Sequence, residues 1–200
     1  TPVVPFDLTL FEQERTLLVS GPNTGGKTVL LKAIGLLSAL AQSGIPVPVG
    51  ATSRLPVFDD VFADVGDEQS IEASLSTFSA HLKNLGEILR SATPDSLVLI
   101  DELGSGTDPS EGAALGGSIL ETLTRRAATT IATTHLGQLK LLATEVDGVV
   151  NASLQFDAVQ LAPTYRLLKG IPGRSYGLSI ARRLQLPEDV IVRAEERLPH

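Results

Sequence analysis

The stretch from Ser20 to Gly35, SGPNTGGKTVLLKAIG, runs a glycine-rich turn straight into an apolar helical pattern. It follows the short apolar run TLLVS at 16–20, which reads as a buried strand. A strand that passes through a tight turn into a helix favours a crossover architecture, because that helix must pack back on the sheet its strand belongs to. The rest of the chain keeps alternating in the same way. Lys27 to about Gln42 reads as a helix whose apolar residues Val29, Leu30, Leu31, Ala33, Ile34, Leu36, Leu37 and Leu40 lie nearly all round it, which predicts a central helix. A Pro/Gly-rich connector, GIPVPVGATSRLP (44–56), leads to VFDDVFADV (57–65), which alternates like a strand with one exposed face. From Ser76 to about Arg90, Phe78, Leu82, Leu85 and Leu89 recur at helical spacing. The runs LVLID (97–101) and TTIATT (129–134) predict strands on either side of a helix from Glu111 to Arg126. GVVNASLQF (148–156) and PTYRLL (163–168) predict a closing strand pair. Two short helices follow, Ser175 to Leu184 and one opened by LPED with Pro187 at its first position. The whole predicts an α/β fold with a mostly parallel sheet, a main core over residues 1–168 and a small C-terminal helical element over 169–200.

Composition narrows the function. Zero Cys removes disulfides, thiolate nucleophiles and Cys-based zinc sites. The net charge of -7 argues against a broad nucleic-acid-binding face on these residues. No apolar run reaches the length of a membrane span, so a membrane role is not expected, and the absence of Cys fits a cytoplasmic location. The chain starts at Thr1 and contains no Met, which predicts a piece of something longer.

Gly21-Pro22-Asn23-Thr24-Gly25-Gly26-Lys27-Thr28 fits G-x-x-x-x-G-K-[ST] in full. Glycines let backbone N–H groups converge on phosphate oxygens without a Cβ in the way. The helix opening near Lys27 adds its positive N-terminal end. Lys27 reaches the β- and γ-phosphates, and the Thr28 hydroxyl is a Mg²⁺ ligand. The expected ligands are therefore ATP and Mg²⁺, and the concentrated local field explains how an acidic domain holds a polyanion.

LVLIDELGSGTDPSEG (97–112) puts Asp101 and Glu102 at the end of an apolar strand. Alone, Asp-Glu equally well ends a buried strand in solvent. Paired with the upstream turn, Asp101 reads as the second Mg²⁺ ligand and Glu102 as a general base for a phosphate-bound water. His135 ends the next strand, where a polar residue senses the γ-phosphate in ATPases of this strand order; it also suits the plain start of a helix. Ser76 falls at a helix start, on a polar face with Ser79, Lys83, Glu87 and Arg90. The helix dipole there favours an anion, and an ordinary N-cap serine fits the same pattern.

GPNTGGKT, LSTFSAH, LVLIDELGSGTDP and TTHL, in this order, resemble the ATPase domain of the MutS family, within the ABC superfamily of P-loop NTPases. DELGSGTDPSEGAAL is similar to that family's second branch, associated with branched DNA, recombination suppression and collided ribosomes. GIPGRSYGLSIARRLQLPEDVIVRA (170–194) resembles its C-terminal helical element, which reaches across a dimer. The resemblance implies a homodimer with two composite sites, in which Lys27, Thr28, Asp101, Glu102 and His135 of one subunit face Ser76 of the other. Asn23 would help position the γ-phosphate, and Asp108 would couple the two sites, although TDP also makes a plain turn. Gln69 is the candidate for a glutamine-loop residue, and Val3 and Val4 for the adenine pocket. LSTFS stands where transporter-type domains carry a serine followed by two glycines. DNA, RNA or ribosome contacts would belong to segments outside these residues. The expected function is Mg²⁺-dependent ATP hydrolysis driving a dimer on branched DNA or ribosomes. The alternative is a nucleotide-gated interaction module in which hydrolysis is slow and incidental.

Overall fold

The computed structural model describes residues 3–22, 25–66, 74–157, 160 and 162–197, with residues 74–77 described in backbone only. The strands are β1 (Thr16–Ser20), β2 (Asp60–Asp64), β3 (Ser96–Ile100), β4 (Thr129–Thr134), β5 (Val149–Asp157) and β6 (Ala162–Lys169). The helices are α1 (Lys27–Gln42), α2 (Ser74–Ser91), α3 (Pro109–Arg125), α4 (Leu142–Glu145), α5 (Gly177–Arg183) and α6 (Glu188–Glu195), with a 3₁₀ turn at Gly137–Leu141. The strands form one sheet in the order β2-β3-β4-β1-β5-β6. All neighbours run parallel except β5 and β6, which are antiparallel with an irregularity between Leu154 and Phe156.

Strand alternation sorts the core into two layers. Leu18, Val98, Ile100 and Ala132 point to the face covered by α2 and α3, where Leu85, Ile88, Leu120 and Leu123 meet them. Leu17, Val19, Leu97, Leu99 and Ile131 point to the other face, where Leu30 and Leu31 of α1 and Phe58 cover them. Both faces of the parallel sheet are thus covered, which is why its strands read as continuous apolar runs rather than alternating ones.

Three expectations need correction. Helix α1 is not central: Leu30 and Leu31 are buried, but Val29 is 69% and Leu36 60% exposed. It covers one face of the sheet and has solvent behind it. The strand expected over 57–65 is confined to Asp60–Asp64, because it lies at the sheet edge and pairs with β3 alone. Pro187 stands just before α6 as its cap, with an extended ψ of 130°, and Glu188 is the first helical residue.

The carboxyl ends of β1, β3 and β4 lie side by side, since Ser20 is level with Thr134 and Ile100 with Ala132. Residues that follow these strands therefore converge on one rim of the sheet, the usual ligand-binding edge of open α/β sheets.

Candidate active site

The turn after β1 enters α1 through Gly26, whose φ of 88° is a left-handed conformation that a side chain would strain. The turn closes with the Gly25 N–H donating to the Pro22 carbonyl at 3.1 Å, and Gly21 also takes a positive φ, 139°. Asn23 and Thr24 lie outside the described residues. Lys27 is 3% exposed, and its Nζ donates to the Gly21 carbonyl at 2.6 Å, so its ammonium is folded back under the turn it follows. Burial pushes the Lys27 amine below its ordinary pKa, and the negative charges of Glu102 and Asp101 act in the opposite direction.

The Thr28 hydroxyl donates to Asp101 Oδ2 at 2.5 Å. That contact joins the start of α1 to the end of β3 and places two hard oxygen donors together. A hydroxyl with one carboxylate fits Mg²⁺, which takes few protein ligands and completes its shell with phosphate oxygens and water. Among the described residues there is no larger cluster of His, Asp or Glu that could cage a metal by itself.

Asp101 is 4% exposed and has a second partner that the sequence did not flag. The Thr133 hydroxyl of β4 donates to Asp101 Oδ1, and the Thr133 Oγ1 itself accepts the Glu102 N–H at 2.9 Å. One buried threonine thus orients both acidic residues. Glu102 itself has a φ of 49°, a left-handed conformation uncommon outside glycine, and its side chain is half-buried on the rim. Four of the six residues of β4 are threonines, and nothing in the sequence singles out Thr133 among them.

The remaining candidates are less tightly gathered. His135 follows β4 at the same rim and is exposed. Asp108 is the N-cap of α3, where its Oδ1 accepts the N–H groups of Ser110 at 2.8 Å and Glu111 at 3.3 Å. Ser76 falls in the first turn of α2. Val3 and Val4 are exposed, 90% and 38%; Gln69 lies outside the described residues.

Two C-terminal features reach the turn. The Tyr165 ring packs on Gly26, so that a Cβ there would come within 3.0 Å of its Cδ1, and Tyr165 holds a φ of 60°. Gly173 lies against the backbone where the turn begins. Its N–H donates to Ser20 Oγ at 2.8 Å, Lys140 Nζ donates to its carbonyl at 2.6 Å, and a Cβ on it would stand 2.3 Å from the Ser20 carbonyl oxygen.

Residues 17–200 match the family profile described as MutS domain V. The chain belongs to the MutS family. Within it, the relatives place it in the MutS2 branch. It is 84% identical over 197 residues to a protein of Gemmatimonas aurantiaca named Endonuclease MutS2, which covers 98% of this chain and 24% of that protein. It is 60% identical over 196 residues to the Endonuclease MutS2 of Pelotomaculum thermopropionicum, covering 98% and 25%. This MutS-type chain thus spans about a quarter of the length of the curated relatives it matches. Domain V is the ATPase domain of MutS proteins, and the α/β fold with its mostly parallel sheet agrees with that.

Proposed function

We propose that this chain is the Mg²⁺-dependent ATP-hydrolysing domain of a MutS2-type homodimer. The observation that carries this reading is the contact between Thr28 and Asp101, made beside a buried Lys27 and next to Glu102. The turn at Gly21–Thr28 receives the phosphates through backbone N–H groups and the N-terminal end of α1. Lys27 leaves the Gly21 carbonyl for the β- and γ-phosphates. Mg²⁺, held by Thr28 and Asp101, neutralises charge on the phosphate oxygens when it is bound. Glu102 takes a proton from the attacking water, and His135 senses the γ-phosphate from the end of β4. Thr133 holds both acids in place through the bonds to Asp101 and the Glu102 N–H.

The site is completed by Ser76 of the partner subunit, presented at the start of its α2, and Asp108 lies near the junction of the two sites. The cycle of closure and release moves segments outside residues 1–200 on branched DNA or ribosomes. The nuclease chemistry in the relatives' name is not assigned to these residues. A cytoplasmic setting fits, and no described helix is long and apolar enough to cross a membrane.

Glu102→Gln in the full-length protein tests the chemistry. Nucleotide binding should persist while single-turnover hydrolysis falls by roughly 10²-fold or more, since a positioned base typically contributes about 10²–10⁴. Unchanged turnover would move the base elsewhere. Negligible hydrolysis in the unaltered protein, with ATP-dependent dimerisation intact, would leave a nucleotide-gated module.

A further inference from the structure

Asp64, the last residue of β2, is a carboxylate only 7% exposed, one strand away from Asp101. Among the described residues, its hydrogen bonds go to α2 and to Asp101 rather than to the glycine-rich turn. His81 Nδ1 of α2 lies 2.7 Å from Asp64 Oδ2, and Asn84 Nδ2, one helical turn later, donates to Asp64 Oδ1 at 2.8 Å. Because a carboxylate accepts, the Nδ1 of His81 carries the proton. The Asp64 carbonyl in turn accepts the Asp101 N–H at 2.9 Å. One residue therefore joins α2 to the strand end that carries Asp101 and Glu102.

The apolar anchoring of α2 is uneven. Its carboxyl half is seated in the core by Leu85 and Ile88, 5% and 2% exposed, whereas Leu82 is 37% exposed. Toward the amino end, the contacts include Phe78 against Gly106 and the polar pairing with Asp64. His81 also lines the cleft that Asp101 and Glu102 share with Phe78. One buried carboxylate and two donors thus tie the amino half of α2 to the end of β2.

We infer that Asp64, His81 and Asn84 form a clamp that positions the first turn of α2, and so Ser76, for the nucleotide held by the other subunit. His81 and Asn84 are positioning residues: they serve the neighbouring site and leave their own phosphate cradle intact. This inference rests on the composite site proposed above. A side chain that only stabilised its own subunit would disable its own cradle when lost, and no second subunit could repair it.

The test is complementation in the full-length protein. His81→Ala should lower kcat for ATP by about 10²-fold, the loss typical of an ångström-scale misplacement, with KM little changed. Mixed with Lys27→Ala, it should regain activity, because the cradle of the His81→Ala subunit meets an intact α2 from the Lys27→Ala subunit. At equal mixing the expected rate is roughly a quarter of the unaltered protein's, since half the dimers are mixed and each has one complete site. His81→Asn, which keeps a donor where Nδ1 stands, should retain most of the turnover. Ser76→Arg mixed with Lys27→Ala is the control. If the control complements and His81→Ala does not, the clamp acts on its own site and the inference is overturned; unchanged kcat in His81→Ala overturns it equally. If the control also fails in pairs shown by sedimentation to be mixed dimers, the composite site itself is wrong, and the clamp's role goes with it. Should His81→Ala melt below the assay temperature, Asn84→Ala leaves the His81–Asp64 pair in place and faces the same outcomes with a smaller drop in kcat.

Discussion

Lys27 is held where its charge is least comfortable. It is 3% exposed, and burial pushes its amine down while Asp101 and Glu102 oppose that. An ammonium in that position gains from an incoming polyphosphate more than an exposed lysine would, because little water has to be removed from it at binding. Lys27→Ala should therefore abolish ATP-Mg²⁺ binding measured by calorimetry, and unchanged affinity would remove the phosphate cradle from the proposal. At the same scale, Thr133 shows why two acidic residues at a strand end did not amount to a site. The motif placed Asp101 and Glu102 at a strand end, but their orientation comes from a hydroxyl on β4, far along the chain. Local spelling does not report such a pairing. Asp108 is a second such case: TDP read locally as a plain turn, and the structure makes its aspartate the N-cap of α3, a contact worth about 1 kcal/mol.

Among the elements, the glycine-rich turn with its flanking strand and helix was the most legible, since every residue type there answers a local demand. The helix boundaries of α1 and α3 followed from the apolar pattern, and agree with the expectation to within two residues. The orientation of α1 did not follow. Periodicity cannot say on which side the sheet lies when apolar residues surround the helix, and Val29 and Leu36 face solvent. The attachment of the amino-terminal segment was also invisible in the sequence. Glu14 accepts the Phe11 N–H at 2.8 Å and pairs with Lys169 at the end of β6; Lys169 also donates to the Thr9 carbonyl at 2.6 Å. Burial alone would raise the Glu14 carboxyl, but the bonds from Lys169 and Phe11 and the Lys169 charge outweigh it and hold the pKa below its ordinary value. A lowered carboxyl contributes stability above its unfolded value and loses it as pH falls through the folded one. Glu14→Gln should therefore cost about 1 kcal/mol near neutral pH. That difference should shrink to nothing well below the carboxylate range. Chemical denaturation of both proteins at the two pH values checks it, and a gap that survives acid would mean the pairing does not stabilise the fold through charge.

Across the whole molecule, β1 occupies the middle of the sheet, bonded to β4 on one side and β5 on the other. Leu17, Leu18 and Val19 are 0% exposed between those two strands and the helices that cover both faces of the sheet. Seen in time rather than in space, this reverses the order of synthesis. The strand that carries the glycine-rich turn leaves the ribosome early, yet its two neighbours are among the later strands to be made. β2 and β3 can pair before then, but they do not touch β1. A growing chain that ends within α3 has the complete turn motif and no sheet to hang it on. Closing such distant pairings is slow, and it leaves an apolar strand with two open edges in the meantime. Ribosome-stalled chains ending before Thr129 should be cut readily by protease at β1 and gain nothing from ATP-Mg²⁺. Chains long enough to expose β5 outside the ribosome should acquire nucleotide-dependent protection. Protection of β1 in the shorter chains would show that this strand finds another partner first.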